Sequence, residues 1–564
     1  MFSSQHNGID RRTFLKAAGA GALAAAWPAP VPANAAKETL YNGIRLTTPW
    51  PPARRGFQPT PIRAPYLVDQ PAVVPIDVGR QLFVDDFLIE ETSLERVFHR
   101  PDYHPANPIL RPTTRWEKYD EYAERTQTRS NPAAMPFSDG VFYDPQDRLF
   151  KMWYMGGYSQ NTCLALSRDG IEWDKPSLDV VKGTNITVAL HRDSSTVWLD
   201  LAERDTSRRY KMASWYDKYL LLYASADGIH WRRIGRSGPA GDRTTFFYNP
   251  FRKVWVFSIR DEVPNSVGRF RRYIEAADFE RSAAWTKDEP VAWVSADIDD
   301  PRRPEYNVPV ELYNLDCVAY ESLVLGLFTI FRGERTEREK PNDICVGFSR
   351  DGFHWDRPDR RPFLPVSEHV GDWNWANVQS AGGGCLVVGD RLFFYVSGRR
   401  GVPGSNAPGV CSTGLATMRR DGFASMGHPT SPSGVQRLEP SPGPGVLITR
   451  PVTFSGRYLF VNVDASDGEL RVEVLDRDGR TIPGFSGALS MPIRSDTTRA
   501  RVSWNGARDI EALVGQPVRF RFQLTRGKLY AFWVSPSLDG ASHGYVGAGG
   551  PGFVGLTDTV GHRV

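Results

Sequence analysis

The chain has 564 residues, 41% of them apolar and 24% charged, enough material for two or three globular domains. A formal charge of only +4, with arginines scattered singly or in pairs beside aromatics, excludes a basic nucleic-acid-binding tail, and no nucleic-acid partner is expected. Five cysteines without C-x-x-C spacing read as buried thiols and give no zinc or redox motif.

Residues 1–36 read as a removable export signal. Arg11 and Arg12 precede Phe14-Leu15-Lys16, a short Ala/Gly-rich core follows, and Ala33-Asn34-Ala35 supplies a cleavage site. That core is too short and too rich in small residues to span a bilayer. The expected location is periplasmic or secreted by twin-arginine export, with no membrane contact after the signal is removed. Residues 37–77 are rich in proline and read as an extended arm.

From about residue 78 the chain becomes a series of short apolar strands. "SRDGIEW" from Ser167, "SADGIHW" from Ser225 and "SRDGFHW" from Ser349 repeat one box. Each box follows the same run: an apolar strand, a tight turn, an aromatic-rich strand and a third strand. Asp-Gly predicts a turn in which glycine takes positive φ and the Asp side chain binds nearby backbone N–H groups. The three box aspartates, Asp169, Asp227 and Asp351, therefore read as structural. Trp173, Trp231, Trp285 and Trp355 stand 58, 54 and 70 residues apart, a spacing that predicts propeller blades. A degenerate third unit runs through "RYIEAADFERSAAW", and a fifth keeps Asp421-Gly422 and loses the Trp. The expected fold is all-β, a five-bladed β-propeller over 78–430 followed by a β-sandwich. "RQLFVDDFLIEE" closes the ring or caps it, and a sixth blade over 78–128 is the alternative. After a linker over 431–444, period-two alternation over 445–540 reads as the β-sandwich domain. Residues 541–564 read as a loosely ordered Gly-rich tail.

These features, with "RQLFVDDFLIE", "HPANPIL", "LFKMWY", "DGIEWDKP", "VVGDRLFFY" and "RPVTFSGRYLFVNVDA", resemble the five-bladed glycoside hydrolases of families 32 and 43 and their relatives. The resemblance spans about residues 78–540. It implies an exported glycoside hydrolase acting on an oligo- or polysaccharide, with furanosides among the candidate substrates. It also implies a ligand on the propeller axis, where the inner strands begin, and allows a structural ion there, although the sequence itself shows no metal-ligand spacing. The invertase-type signatures Asn-Asp-Pro-Asn-Gly, Arg-Asp-Pro and Glu-Cys are absent.

Positions just before or within the inner strands carry the candidate chemistry. Asp139, Asp193, Asp242 and Asp316 recur at equivalent places, and Glu321 lies in the apolar run "VAYESLVLGL". Glycoside cleavage needs one carboxyl to protonate the leaving oxygen and one carboxylate to activate water or attack the anomeric carbon. Asp139, Asp242, Glu321 and Asp316 are the catalytic candidates, against turn-capping aspartates and, for Glu321, a structural ion pair. Arg243, Arg271 and Arg272 are candidates for binding carboxylates or an acidic sugar. "DWNWANVQS" supplies Trp373, Asn374, Trp375 and Gln379 for a sugar floor, or else for packing between blades. A sialidase-like enzyme, a glycan-binding protein and a polysaccharide lyase are the rival functions. Tyr320 beside Glu321 is the one echo of a sialidase nucleophile pair.

Overall fold

A computed structural model describes residues 38–53, 57, 60–119, 131–263, 267–306, 308–333, 337–428 and 443–561. The export signal read over 1–36 and most of the linker read over 431–444 lie outside the described residues.

Each box folds as a turn tied by its own side chains. In the first, the Asp169 carboxylate accepts from the N–H groups of Ile171 (2.8 Å) and Glu172 (2.9 Å), and Ser167 Oγ accepts from Gly170 N (2.8 Å). Asp227 and Asp351 repeat this pattern. The three box glycines take φ of +78°, +78° and +80°. Each box ends the third strand of a four-stranded antiparallel sheet or its equivalent.

Five such sheets follow one another. Blade one contains Ala134–Asp144, Leu149–Gly156, Asn161–Ser167 and Ile186–Val188; blade two contains Ser195–Leu199, Tyr210–Tyr216, Tyr219–Ser225 and Arg232–Arg236. Blade three contains Thr245–Asn249, Val254–Val263, Gly268–Ala276 and Val291–Ser295. Blade four has Glu311–Glu321, Leu323–Phe331 and Asp343–Ser349; blade five has Asn377–Ser380 and Leu386–Val388 on one side of Arg391–Arg399, then Cys411–Arg419. The first strands of successive blades lie side by side, and those of blades five and one also meet, so the ring closes at five. Asp102–Tyr103 adds the outermost strand of blade five, which closes the ring with the N-terminal side of the chain.

Hydrogen bonds between blades end on the box turns. Tyr395 of blade five donates to the Gly170 carbonyl, Trp153 of blade one to that of Gly228, and Trp293 of blade three to that of Phe353, each at 2.7 Å. Each donor comes from the preceding blade in the ring. A Cβ on Gly228 would lie 2.4 Å from the Trp153 ring, so glycine there serves close approach as well as turn conformation. The degenerate third unit replaces its box by one helical turn, Phe279–Ala283, which Asp278 caps at Arg281 N (2.9 Å).

Two further antiparallel sheets share a separate apolar core that includes Phe83, Val461, Phe522 and Phe532. One runs Asp496–Arg501, Tyr458–Asp464, Lys528–Ser535, Ala424–Gly427, Glu95–Phe98; the other runs Glu469–Leu475, Arg519–Thr525, Gly445–Thr449, Ile89–Thr92. Segments 81–98 and 424–427, assigned from sequence to the propeller, pair here instead, because their partners are strands far off in the chain. The tail differs from expectation too. Tyr545–Val546 pairs with the inner strand of blade four, Ala548 N donates to Cys385 O, and Tyr143 N donates to Ala548 O. The tail is thus bonded to blades four, five and one at a single end of the ring. Its glycines leave room for this: a Cβ on Gly544 would lie 2.1 Å from the Glu321 carboxylate.

The N-terminal side of the chain also packs on blade four. Arg350 makes two hydrogen bonds to the Asp85 carboxylate, at 2.7 and 2.8 Å. Asp356, just past the fourth-blade box, is pushed up to about 6 by burial and then by the Asp85 charge.

Two outcomes are expected. Trp153→Phe removes the donor to Gly228 O and should cost about 1–3 kcal/mol in denaturant unfolding, because it strands a buried carbonyl. A carboxyl raised on folding favours the folded state at low pH, and that advantage disappears as pH climbs through the folded value. Wild type should therefore lose up to about 2 kcal/mol relative to Asp356→Asn between pH 4 and pH 7, read as diverging melting temperatures.

Candidate active site

All five inner-strand heads bring polar side chains to one end of the axis. In blade one the strand is irregular between Met135 and Gly140, with Ser138 at φ +62° and Gly140 at +141°. This kink turns Ser138 and Asp139 toward blades four and two. Asp139 is fully buried; it pairs with Arg192 (2.9 Å) and accepts from Ser195 Oγ (2.7 Å) and Phe137 N (2.9 Å). Burial pushes its carboxyl up, and Arg192 opposes the shift.

Asp316, from blade four, accepts from Ser380 Oγ (2.5 Å), Asn314 Nδ2 (2.8 Å) and Ser138 Oγ (3.0 Å), joining blades five, four and one. It too is raised by burial. Ser138 accepts in turn from Arg243 Nη2 (2.9 Å), so Asp316 and Arg243 meet through one hydroxyl. Arg243 has φ +58°, lies over the Phe137 ring at 3.9 Å, and is 1% exposed. Arg271 donates to the Arg243 carbonyl (2.7 Å) and to that of Tyr313.

Asp193 and Asp242 lie on the solvent side of this group. Asp193 is half-buried, and its Oδ1 is enclosed without a hydrogen-bond partner. Burial raises its carboxyl, and the Asp242 charge raises it further, so these two carboxylates are close enough to interact. Asp242 keeps 40% of its side chain exposed, with Arg260 at 3.4 Å. Asn314 Oδ1, Gln379 Oε1 and Arg243 Nε and Nη1 are also buried without partners. Native proteins seldom leave such groups open, and here they cluster at the inner-strand heads.

The other sequence candidates lie elsewhere. Glu321 does not join the aspartates. It ends the eleven-residue strand that carries Asp316, so the two are about 16 Å apart along the strand and on opposite faces. Its carboxylate binds Arg420 (2.9 Å), Ser542 Oγ (2.7 Å) and Arg80 N (3.1 Å). Arg80 also pairs with Asp421 (2.8 Å) and stacks on Trp533 at 4.1 Å. Tyr320 donates to Asp421 (2.6 Å), so the Tyr–Glu echo belongs to this network, which ties blades four and five to the second pair of sheets and the tail. A glutamate in an apolar run is stabilised here by two arginines, the ion-pair alternative raised by the sequence.

Arg272 bonds Asp261 (2.6 Å) at the outer strands of blade three, partly in solvent. Trp373 lies on Gly398 and Gly414 and meets Tyr103 edge-on at 5.7 Å. Asn374 is buried, its carbonyl accepting from Ser367 N (3.3 Å). Trp375 is buried under Arg338 at 5.1 Å. These three residues fill the packing role. Gln379 lies in the inner strand of blade five and donates to Asn377 (2.8 Å). Sequence reasoning missed Arg192, Ser138 and Asn314 as members of the group; only the strand irregularity and the strand pairing reveal them. All five cysteines are buried free thiols. Among the described residues no group of three or more His, Cys, Asp or Glu is placed to hold a metal ion, and no helix is long and apolar enough to cross a membrane.

No protein-family model and no curated protein sequence matches the chain. Solved structures similar to it include an N-acetylgalactosamine deacetylase from F. plautii in complex with blood group B trisaccharide, at 14% identity and a TM-score of 0.38, over 59% of this chain and 97% of that one. A thermostable family-43 glycoside hydrolase matches at 12% identity and a TM-score of 0.38, over 55% and 100%. A β-fructofuranosidase from Schwanniomyces occidentalis matches at 12% and 0.33, over 77% and 98%. The five-bladed ring itself is read from this chain's own strand pairing.

Glu321→Gln should lower stability by about 3–5 kcal/mol, since it leaves Arg420 and Arg80 short of a buried counter-charge. Turnover per folded molecule should stay unchanged, as measured by activity normalised to near-UV circular dichroism.

Proposed function

We propose that the protein is an exported glycoside hydrolase that cleaves a glycosidic bond of an oligo- or polysaccharide at the head of the propeller axis. What supports this reading is the placement of Asp193 and Asp242 just ahead of the inner strands of neighbouring blades, the first raised by burial and holding an unpartnered oxygen, the second open to solvent. A carboxyl raised by burial suits a general acid, and a carboxylate open to solvent can reach water or substrate as the base. In this reading Asp193 gives its proton to the leaving glycosidic oxygen, and the Asp242 carboxylate takes a proton from water or bonds to the anomeric carbon. Asp139, both of whose oxygens accept from internal donors, and Asp316, whose Oδ2 accepts from three, act as positioning residues. Asp139 fixes Arg192 and Ser195 at the head of blade two; Asp316 fixes Ser138, Asn314 and Ser380. The open carbonyl oxygens of Asn314 and Gln379 are acceptors suited to sugar hydroxyls. The twin arginine at residues 11–12 supports export.

The purified protein should release reducing sugar from at least one member of a panel of aryl glycosides and polysaccharides. Asp193→Asn and Asp242→Asn should each cut kcat by about 10²-fold or more with unchanged melting temperature. Full turnover in both variants would overturn the pair, and a failure to cleave any glycan in the panel would overturn the hydrolase.

A further inference from the structure

Among the described residues, buried arginines follow a rule with two exceptions. Arg80, Arg192, Arg350, Arg357 and Arg399 are each at most 6% exposed, and each has a carboxylate within 3 Å. Arg243 and Arg271, at 1% and 0% exposure, have no ion-pair partner among the described residues. They are also neighbours, since Arg271 donates to the Arg243 carbonyl. Asp316, the foremost charge acting on Arg243, reaches it only through the Ser138 hydroxyl, and its own hydrogen bonds run to Ser138, Asn314 and Ser380. Nε of both arginines and Nη1 of Arg243 have no acceptor.

Two adjacent buried cations without a direct ion pair are costly. Burial lowers both groups, Arg271 to about 9, with the Arg243 charge as its second cause. The acids facing them, Asp316 and Asp193, are themselves raised by burial, which leaves less negative charge to balance the guanidinium pair. Asp242 supplies a charge from the rim, but its close contact is Arg260. A structural core would use these positions for apolar side chains; a site waiting for an anion would look like this one.

We propose that the axial site takes an acidic glycan, the sugar next to the cleaved bond carrying a carboxylate or sulfate that Arg243 and Arg271 neutralise. This rests on the axial hydrolase reading and narrows its substrate class. Arg243 supplies the open donors, Arg271 the second charge behind it, and Asp193 and Asp242 lie on the side from which the sugar arrives.

The test is calorimetric titration of full-length Asp193→Asn protein, which holds substrate uncleaved, with oligogalacturonate, a sulfated galacto-oligosaccharide and the matched neutral galacto-oligosaccharide. An acidic ligand should bind at least tenfold tighter than the neutral one, and the better of the two acidic ligands identifies the anion. Adding Arg243→Gln should bring acidic and neutral ligands within threefold, whereas Arg272→Gln should change nothing. Ligand-free Arg243→Gln should melt at or above the wild-type temperature, since an uncompensated buried charge is gone; a large fall would mark Arg243 as structural and overturn the proposal. Should that variant fail to fold, the wild-type melting shift decides, being larger with the acidic ligand and shrinking with salt. Equal binding of neutral and acidic ligands, with neutral glycan still cleaved by wild type, would overturn the acidic preference and leave the hydrolase standing. No binding or cleavage of any of the three would overturn the acidic preference outright, and only a blank across the wider glycan panel would remove the hydrolase as well.

Discussion

The ring depends on one repeated contact: an aromatic N–H or O–H of one blade donating to a carbonyl in the box turn of the next. Trp153, Trp293 and Tyr395 each make it at 2.7 Å. The turn is rigid because Asp and Ser side chains satisfy its own N–H groups, so its carbonyl faces outward at a fixed position. A buried carbonyl left without a donor costs about 1–3 kcal/mol, so the contact favours one spacing of neighbouring blades over slipped ones. Between blades four and five the contact is altered, Tyr320 donating to the Asp421 side chain instead of a turn carbonyl. That change draws a buried carboxylate into the joint, and Arg80 and Asn462 of the second unit bind the same group. The copy that keeps Asp-Gly and loses its Trp is thus the place where the second pair of sheets is fastened.

Much of this was legible in the sequence because the boxes are local. Ser-x-Asp-Gly determines its own turn within a few residues, and its spacing counts the blades, so five blades could be read from Trp173, Trp231, Trp285 and Trp355 with the degenerate units between. What could not be read is pairing at long range. Ile89–Thr92 is a short, mostly polar segment, and nothing in it says that its partner is Gly445–Thr449, some 350 residues later. The tail misled for a related reason. Its glycines suggest looseness, yet they are small because the chain threads past Glu321 and Cys385 at close range. Glycine content alone does not separate a flexible segment from one pressed against other backbone.

The candidate site was legible by position and misjudged in its members. Acidic residues at the inner-strand heads do gather, and Asp139, Asp193, Asp242 and Asp316 form one electrostatic group with Arg243. Glu321 stood among the catalytic candidates because an apolar run makes any glutamate conspicuous. Its strand runs the full depth of the ring, so five residues carry it from the polar head to the opposite end, where two arginines and the tail enclose it.

That one strand, Glu311–Glu321, sets out the physical distinction on which the site rests. At its far end every buried charge has a partner: Glu321 with Arg420, Arg420 with Asp558, Asp421 with Arg80. Such a network ties the fold together, and removing any member strands another. At its near end the pairing is incomplete, with Arg243 and Arg271 lacking a direct ion pair and the side-chain carbonyl oxygens of Asn314 and Gln379 lacking donors. A fold selected for stability alone would fill those positions with apolar side chains or complete the pairs. Proteins tolerate local cost of this kind where function requires it, because the rest of the structure overdetermines the geometry. Here the latched blades and the clamp beneath them supply that surplus. The open end of the strand can then hold charges in readiness for a ligand, and in the reading proposed above an anionic sugar would complete them.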